Sequence, residues 1–336
     1  MIPDAKIEAI VDRIFSDATF PEEPKGLYDP LRYMISLGGK RLRPKLCLLI
    51  YSLWKHDFDE SVTEPAIGLE FFHNFTLIHD DIMDNSPLRR GKETVWKKWS
   101  EVTGILSGDE LCIESFRRIA MAPPKVLPTV LDVFTRTARE VCDGQQMDTD
   151  FEGRDDVTME EYMKMISLKT AVLLGCSAAV GAIIGGASEK DVANLYDYAF
   201  QTGLAFQITD DLLDTYGNVE EFGKPIGGDI IMGKKTWLVT RAMEKASPEI
   251  RADFLDAMHM PAEDVIADPS PEASARRAAK IARVKSIYDL LEIPQDAERE
   301  ILSLCEKGLA SASKSCDGVA YEMLRRFTMK LVGRAK

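Results

Sequence analysis

Apolar residues recur at spacings of three and four along most of the chain, which is the period of a helix that buries one face. The pattern is clearest in five segments: IEAIVDRIF, VLDVFTRTAREV, MEEYMKMISLKTAVLL, DVANLYDYAFQTGLAFQITDDLL and IARVKSIYDLLEI. Alternating strand patterns are scarce, and no Asn-Gly or Asp-Gly pair separates two of them. The sequence therefore predicts an all-α fold.

Prolines and glycines mark the breaks between the helical segments, in PEEPKGLYDP, MAPPKVLP, EFGKPIGG and DPSPEAS. None of these breaks is long or repetitive enough to be a linker between domains. We predict that residues 1–336 form a single domain of about ten or more helices. A surface loop is expected between Pro261 and Pro271.

Composition narrows the class of protein. A net charge of -13 argues against nucleic acid or an anionic membrane surface as the main partner. The six cysteines form no CxxC pair, and the N-terminus has an early Asp and no apolar signal core. The most apolar run, TAVLLGCSAAVGAIIGG, is short for a membrane span. We expect a soluble cytoplasmic protein without stable membrane insertion.

The segment EFFHNFTLIHDDIMD ends in a cluster of aspartates. At about 100° per residue on a helix, Asp80 and Asp84 lie one turn apart on the same face, and Asp81 is rotated away. His73 lies almost directly below Asp80 on that face. Two carboxylates at this spacing can share a hard cation such as Mg²⁺, which keeps waters or phosphate oxygens as its other ligands.

A second aspartate cluster, in QITDDLLD, repeats the first motif about 130 residues later and also ends an apolar helical run. A solvated acidic helix end is the simpler interpretation of either copy taken alone. Two copies at the ends of apolar helices favour metal binding, because desolvated carboxylates are costly without cations. Neither copy has the spacing of an EF-hand loop. We predict two facing acidic helices that bind a diphosphate through Mg²⁺.

Basic residues accompany the first motif. The segment GGKRLRP supplies Lys40, Arg41 and Arg43 directly after a Gly-Gly turn, and Arg89 and Arg90 follow the aspartates. Any one of these could be an ordinary surface residue. Together they indicate a second anionic group that is bound without metal.

These motifs resemble those of the trans-isoprenyl diphosphate synthases, also called polyprenyl synthetases. The resemblance runs from about Leu31 to about Trp237 and includes GGKRLRP, EFFHNFTLIHDDIMDNSPLRRG, GQQMD, SLKTA, FQITDDLLD and GKPIGGDIIMGKKT, in the family's order. It implies an isoprenoid-synthase-type helical bundle with a central substrate cavity, and a homodimer. The last hundred residues or so match only in helical character.

The resemblance implies a Mg²⁺-dependent head-to-tail (1'-4) condensation of isopentenyl diphosphate with an allylic diphosphate, namely dimethylallyl, geranyl or farnesyl diphosphate. Lys40, Arg43, His73 and Arg90 are then expected to bind isopentenyl diphosphate. Three Mg²⁺ ions are expected at the aspartates of the two motifs, which are Asp80, Asp81, Asp84, Asp210, Asp211 and Asp214. The allylic diphosphate is expected to contact Arg89, Lys169, Thr170, Gln207, Lys224 and Lys234.

The chemistry implied by the resemblance explains these residue types. Breaking the allylic C–O bond produces a diphosphate anion, which Mg²⁺, lysine and arginine stabilise. It also produces a carbocation, which requires an apolar pocket with only oriented dipoles, such as those of Thr170 and Gln207. We therefore expect Lys169, Thr170, Gln207 and Arg89 to act in catalysis. In the family, the released diphosphate is thought to accept the proton that is lost last.

Product length is expected to depend on the residues one to two turns before Asp80, because the growing tail should run from the aspartates between helices. In the family, a bulky aromatic residue at the position of Phe75 accompanies short products. Phe75, Phe72 and Thr76 are predicted to form the chain-length floor, which is the closed end of the pocket for the growing tail. We favour a C20 (geranylgeranyl) product over a C15 (farnesyl) product, because Thr76 leaves room beside Phe75 and the first motif lacks a two-residue insertion.

The sequence departs from the family's pattern at one place, and two alternative functions are also considered. The chain reads GKETVW where the family often has Pro-Thr-x-His after the arginine pair. A class I terpene cyclase shares the predicted fold and one aspartate motif, but it has no need for GGKRLRP or His73. A non-catalytic subunit of a heteromeric prenyl synthase tends to lose aspartates, and here both motifs are complete.

Overall fold

A computed structural model of the chain describes residues 4–217, 226–262 and 270–333. The protein is 77% helical, which confirms the predicted fold class. In chain order the helices are α1 (Asp4–Ser16), α2 (Lys25–Ser36), α3 (Leu42–Tyr51), α4 (Glu60–Met83), α5 (Val95–Lys98), α6 (Glu101–Ile119), α7 (Leu127–Phe151), α8 (Met159–Ile166), α9 (Val172–Gly185), α10 (Glu189–Tyr216), α11 (Gly228–Met232), α12 (Trp237–Lys245), α13 (Pro248–Met258), α14 (Pro271–Leu290), α15 (Ile293–Ala312) and α16 (Gly318–Val332).

Three details differ from the sequence-based expectation. The segment MEEYMKMISLKTAVLL is not one regular helix, because a π-helical turn at Ser167–Ala171 separates α8 from α9. A two-residue antiparallel ladder, β1 (Leu88–Arg89) with β2 (Lys92–Glu93), closes the turn after the first aspartate motif. Residues 263–269 of the predicted loop lie outside the described residues, and Pro271 is already the first residue of α14.

Two compact units can be distinguished by backbone contacts. Unit 1 comprises Met1–Ala138, Leu173–Ala199 and Ser311–Met323, and unit 2 comprises Arg139–Val172, Phe200–Ala310 and Leu324–Lys336. The prediction of one domain over residues 1–336 stays a prediction.

In unit 1, helix α4 packs along α6 and α3, and α2 packs on α6. The Asp59 carboxylate accepts a hydrogen bond from the Ser61 backbone N–H (3.0 Å) and so caps the start of α4. The middle of α4 is buried on almost all sides, from Pro65 to Phe72. This burial fixes the helix whose C-terminal turn carries the first aspartate motif.

In unit 2, α8 packs against α12, and α14 contacts α11, α12 and α13. Helix α8 begins with a capping box, in which Thr158 and Glu161 each accept a hydrogen bond from the other's backbone N–H. Tyr162, Ile208, Phe254 and Tyr288 are among the most buried residues of the core. The second half of α10, which carries the second aspartate motif, is therefore anchored in this core.

Candidate active site

The Gly38-Gly39 turn of unit 1 holds the side chain of Arg90 against the backbone. Both glycines have positive φ, 71° and 134°. A Cβ on Gly39 would lie 2.6 Å from Nη2 of Arg90, and Nη1 of Arg90 donates a hydrogen bond to the carbonyl of Gly38. The two glycines therefore allow the side chain of Arg90 to lie against the backbone of this turn, and Lys40 lies exposed at the next position.

Arg41 and Arg43, which follow the turn, differ in their surroundings. Arg41 donates to the buried Glu70 carboxylate (3.3 Å) and to the carbonyl of Ile35 (2.7 Å). Its role is therefore structural, because it connects α2 and α4. Arg43 is 8% exposed, and its Nε is buried without a hydrogen-bond partner among the described residues. Because a buried donor without a partner is costly, Arg43 fits a residue kept for a bound anion. Burial lowers the pKa of Arg43 to about 10, so the side chain stays charged at neutral pH.

His73 is half-buried on α4, and it is surrounded by positive charge. Burial and the guanidinium groups of Arg43, Arg89, Arg90 and Arg41 hold the pKa of His73 well below its usual range. The imidazole is therefore neutral at physiological pH. It can donate one N–H to an anion without adding a charge.

The first aspartate motif occupies the C-terminal turn of α4, where Asp84 is the C-cap residue. The Asp84 backbone N–H donates to the carbonyl of Asp80 (2.8 Å), which confirms that the two residues are one turn apart. Asp81 is 2% exposed and accepts two hydrogen bonds from Nε of Arg89 (3.0 and 2.8 Å) and one from its Nη2 (2.7 Å). Asp80 and Asp84 are the two half-buried carboxylates of the motif.

Two predicted roles are affected by this ion pair. Asp81 was expected to bind metal, but Arg89 already occupies both of its oxygens. Burial raises the pKa of Asp81, although the contact with Arg89 opposes that shift, and the same contact raises the pKa of Arg89. Arg89 thereby fixes the end of α4 in addition to its expected contact with the allylic diphosphate.

The three residues of the predicted chain-length floor differ in exposure. Phe72 is 2% exposed and packs edge-on against Phe134, with ring centroids 5.4 Å apart. Phe75 is only half-buried and packs edge-on against Phe72 (5.4 Å). The hydroxyl of Thr76 donates to the carbonyl of His73 (2.8 Å). Phe75 is thus the ring of the pair that an apolar ligand can reach, whereas Phe72 supports it from the core.

In unit 2, the π-helical turn presents Lys169 and Thr170 from the SLKTA segment. π-helical turns inside helices occur frequently at functional sites. A Cβ on Gly144 would lie 2.3 Å from the backbone nitrogen of Lys169, so only glycine lets α7 pass this close to the turn. Nζ of Lys169 donates to the Asp148 carboxylate (2.6 Å). The segment GQQMD, which begins at Gly144 and ends at Asp148, therefore positions the turn.

The second aspartate motif lies in the last two turns of α10. Asp210 is half-buried, whereas Asp211 and Asp214 are 5% and 7% exposed. Asp214 accepts a hydrogen bond from the Asp229 backbone N–H (3.0 Å) at the start of α11. It thereby holds the segment that leads to Lys234, whose Nζ donates to Glu152 (3.3 Å). The predicted ligand Lys224 lies outside the described residues.

Asp211 has three donors on its two carboxylate oxygens. Oδ2 accepts from the Tyr162 hydroxyl (2.5 Å) and the Trp237 backbone N–H (2.8 Å), and Oδ1 accepts from Nε2 of Gln207 (3.1 Å). Burial and the nearby Asp229 carboxylate raise the pKa of Asp211 to about 8, and the three hydrogen bonds act in the opposite direction. The three donors favour the ionised form of Asp211, whereas burial and Asp229 favour the protonated form. The predicted metal ligand Asp211 is thus already occupied by protein groups.

Gln207 connects Asp211 to the π-helical turn. Its Oε1 accepts a hydrogen bond from Oγ1 of Thr170 (3.2 Å), while its Nε2 donates to Asp211. The structure therefore brings together Thr170 and Gln207, as expected for two dipoles that act on one group.

The half-buried aspartates of the two motifs fit a hard cation. Each motif lies at a helix C-terminus, where the helix dipole disfavours carboxylates and favours cations. In the described part of the chain, no three His, Cys, Asp or Glu side chains come together as a complete metal site. A cation bound by Asp80 and Asp84 would therefore take its other ligands from water or substrate, as Mg²⁺ commonly does.

Four residues with clear contacts in the structure had no role in the sequence-based prediction: Glu70, Asp148, Tyr162 and Asp229. Asp148 could have been found, because it ends the GQQMD motif. Glu70, at 2% exposure, lies inside an apolar run and carries no pattern of its own. Tyr162 and Asp229 are recognised only through their hydrogen bonds with the second motif.

Among the described residues, one stretch, Met159–Gly185, is long and apolar enough to cross a membrane. Its most apolar window is 78% buried within the protein, as in the core helix of a soluble protein. This stretch includes all but the last residue of the apolar run TAVLLGCSAAVGAIIGG.

Comparison with known proteins decides the family. A family model described as polyprenyl synthetase matches residues 24–267. The chain belongs to the polyprenyl synthetase family. The resemblance stated from the motifs is thereby confirmed, and the protein is a prenyltransferase.

Three similar proteins illustrate the relationship. The geranylgeranyl pyrophosphate synthase of Geoglobus acetivorans is 42% identical over 67% of this chain and 70% of its own length. The geranylgeranyl diphosphate synthase of Saccharolobus solfataricus is 37% identical over 91% of this chain and 90% of its own. A crystal structure of a geranylgeranyl pyrophosphate synthase has a TM-score of 0.90 and 39% identity, over 99% of both chains.

Proposed function

We propose that this polyprenyl synthetase condenses isopentenyl diphosphate with allylic diphosphates to an all-trans C20 prenyl diphosphate in a Mg²⁺-dependent reaction. The family implies these two kinds of substrate, and its enzymes generally use Mg²⁺. The observation that carries the proposal is the placement of two aspartate motifs at helix C-termini, where the helix dipole disfavours carboxylates and favours bound cations. Three Mg²⁺ ions are the proposed number. The prediction that both motifs serve the same diphosphate stays a prediction.

The reaction begins when the C–O bond of the allylic diphosphate breaks and its electron pair leaves with the diphosphate. Bound Mg²⁺ supplies stabilisation of the negative charge on this leaving group. Lys169 and Lys234 of unit 2 are proposed to donate charge-assisted hydrogen bonds to this group. The expected contact of Arg89 with it stays a prediction. The residues proposed to hold Mg²⁺ are Asp80, Asp84, Asp210 and Asp214.

The carbocation left behind requires negative dipole ends and the absence of water. Thr170 and Gln207, which are hydrogen-bonded to each other, are the proposed source of these dipoles. The double bond of isopentenyl diphosphate then forms the new C–C bond, and a proton is lost. Lys40, Arg43, His73 and Arg90 are proposed to bind the isopentenyl diphosphate, because Arg43 is a buried cation whose Nε has no hydrogen-bond partner in the part of the chain that the structure describes.

Incubation with isopentenyl diphosphate and geranyl diphosphate, followed by chromatography of the products, tests the proposal. A longer linear prenyl diphosphate supports it. A cyclic hydrocarbon formed from an allylic diphosphate alone would indicate a terpene cyclase. An inactive chain that gains activity only with a second subunit would indicate the heteromeric alternative.

Product length is proposed to depend on Phe75, the half-buried ring about 7–8 Å below Asp80 along α4. A C20 product agrees with the names of the relatives from Geoglobus acetivorans and Saccharolobus solfataricus. We expect Phe75→Ala to lengthen the product by at least one isoprene unit, because removal of the ring opens the floor. Chromatography of dephosphorylated products measures the effect, and Phe254→Leu, at a buried ring in the core of unit 2, is the control. An unchanged product distribution in Phe75→Ala would show that the floor lies elsewhere.

A homodimer is proposed from the family resemblance and from the surface of α6. Val102, Leu106 and Ile113 lie on this helix at 65%, 55% and 62% exposure. Exposed apolar side chains at helical spacing are typical of an interface. We expect the protein to sediment at twice its 37.5 kDa chain mass and Val102→Glu/Ile113→Glu to sediment as a monomer. Val319→Glu, at an equally exposed valine (62%), should stay dimeric, and a monomeric wild type would contradict the proposal.

A further inference from the structure

Asp211 was expected to bind metal, yet its contacts suggest a different part in the reaction. Its Oδ2 is held by donors from two separate elements, the Tyr162 hydroxyl on α8 and the Trp237 backbone N–H at the start of α12. Its Oδ1 accepts from Gln207. At 5% exposure, the carboxylate is almost closed to solvent, and three of its roughly four acceptor positions are used within the protein.

The orientation of the Gln207 amide follows from this arrangement. With Asp211 ionised, its carboxylate can only accept hydrogen bonds, so the NH₂ end of Gln207 faces Oδ1 of Asp211. The oxygen end must then face Thr170, 3.2 Å away. Because an amide oxygen can only accept, the Thr170 hydroxyl must donate to it. The hydrogen of Thr170 is thereby turned toward Gln207, and its two lone pairs are available on the other side of the oxygen.

We propose that Asp211 is a positioning residue, which acts through Gln207 to hold the Thr170 hydroxyl with its lone pairs toward the allylic carbocation. This inference rests on the proposed function. The chain of hydrogen bonds fixes the direction of two dipoles before the reaction begins, so no reorganisation is needed when positive charge develops. Asp211 itself touches neither substrate nor metal in this account.

The substitution Asp211→Asn tests the direction of the dipoles while the shape of the side chain is preserved. The asparagine oxygen is expected to face the Tyr162 hydroxyl and the Trp237 N–H, because the backbone N–H cannot accept a hydrogen bond. The asparagine NH₂ then faces Gln207, whose amide must turn its oxygen toward it. The NH₂ of Gln207 now faces Thr170, and the hydroxyl hydrogen is turned away from α10, toward the carbocation.

We expect kcat to fall by roughly 10²-fold in Asp211→Asn, the size of effect found when an oriented dipole is lost from an active site. KM for both diphosphates should stay within about threefold, because neither substrate touches Asp211. A tenfold increase in Mg²⁺ should not restore the rate. Asp256→Asn, at an exposed aspartate on α13, is the matched control.

The double variant Asp211→Asn/Gln207→Glu distinguishes positioning from a structural role. A glutamate at position 207 accepts from both the asparagine NH₂ and the Thr170 hydroxyl. The bond between positions 207 and 211 then runs opposite to the original, but the Thr170 hydroxyl donates toward position 207 as in the wild type. We expect the double variant to be at least about tenfold more active than Asp211→Asn. Gln207→Glu alone places two carboxylates together and should be impaired.

Several outcomes would overturn the inference. They are a kcat of Asp211→Asn within about threefold of wild type, recovery at high Mg²⁺, or a double variant no better than the worse single variant. If Asp211→Asn does not fold by circular dichroism, Gln207→Met breaks the same chain at a half-buried position, and wild-type kcat in that variant would also overturn it. A wild-type protein without prenyl transfer would instead contradict the proposed function.

Discussion

Asp80→Ala and Asp210→Ala are each expected to abolish turnover at saturating Mg²⁺ and to leave the fold intact. Asp80 and Asp210 are both half-buried, so their carboxylates can reach a cation. Loss of a metal ligand removes several kcal/mol of stabilisation from the leaving diphosphate, which corresponds to a rate loss on the order of 10³-fold or more. Steady-state assays at increasing Mg²⁺, with circular dichroism of each variant, measure both parts of the expectation.

Two exposed aspartates serve as controls, Asp132→Ala on α7 and Asp256→Ala on α13. Both should keep wild-type activity. If Asp80→Ala or Asp210→Ala has a native circular dichroism spectrum and loses only a few-fold in activity, the metal assignment of that motif is wrong.

Arg43→Ala is expected to raise KM for isopentenyl diphosphate by roughly 10- to 150-fold, which is the effect of losing a charge-assisted hydrogen bond of about 1.5–3 kcal/mol. Its guanidinium is the buried cation whose Nε has no hydrogen-bond partner among the described residues. KM for the allylic substrate should change much less. His73→Ala should show the same preference with a smaller effect, because the imidazole is neutral.

Initial-rate kinetics with each substrate varied in turn provide the comparison, and Arg136→Ala, at an exposed position on α7, is the matched control. Equal increases in KM for both substrates would show that the two diphosphate sites have been assigned to the wrong residues.

Local patterns in the sequence predict most of the helices and the position of the aspartate motifs. The period of apolar residues defines α1, α7, α10 and α14, and the spacing of Asp80 and Asp84 follows directly from the helix repeat. The role of GGKRLRP was also predictable in part, since paired glycines indicate a close approach of another group.

Interactions between distant segments could not be predicted in this way. Five residues are too few for the spacing of apolar positions to distinguish an α-helical turn from a π-helical one, so the turn that presents Thr170 was missed. Asp81 and Asp211 have the same sequence context as the other aspartates, but their partners come from other elements. Arg89 follows Asp81 by eight residues, and Tyr162 precedes Asp211 by 49. The sequence therefore locates the acidic motifs, but it does not show which of their aspartates are held by protein groups and which can bind a cation.

The most direct test of the account follows labelled isopentenyl diphosphate in the presence of geranyl diphosphate and the purified wild-type protein, with Mg²⁺ and with a chelator in its place. The account predicts a labelled linear C20 diphosphate, one diphosphate released for each isopentenyl unit incorporated, and no product with the chelator. Label that stays in isopentenyl diphosphate at saturating Mg²⁺, or incorporation that continues unchanged with the chelator, would contradict it.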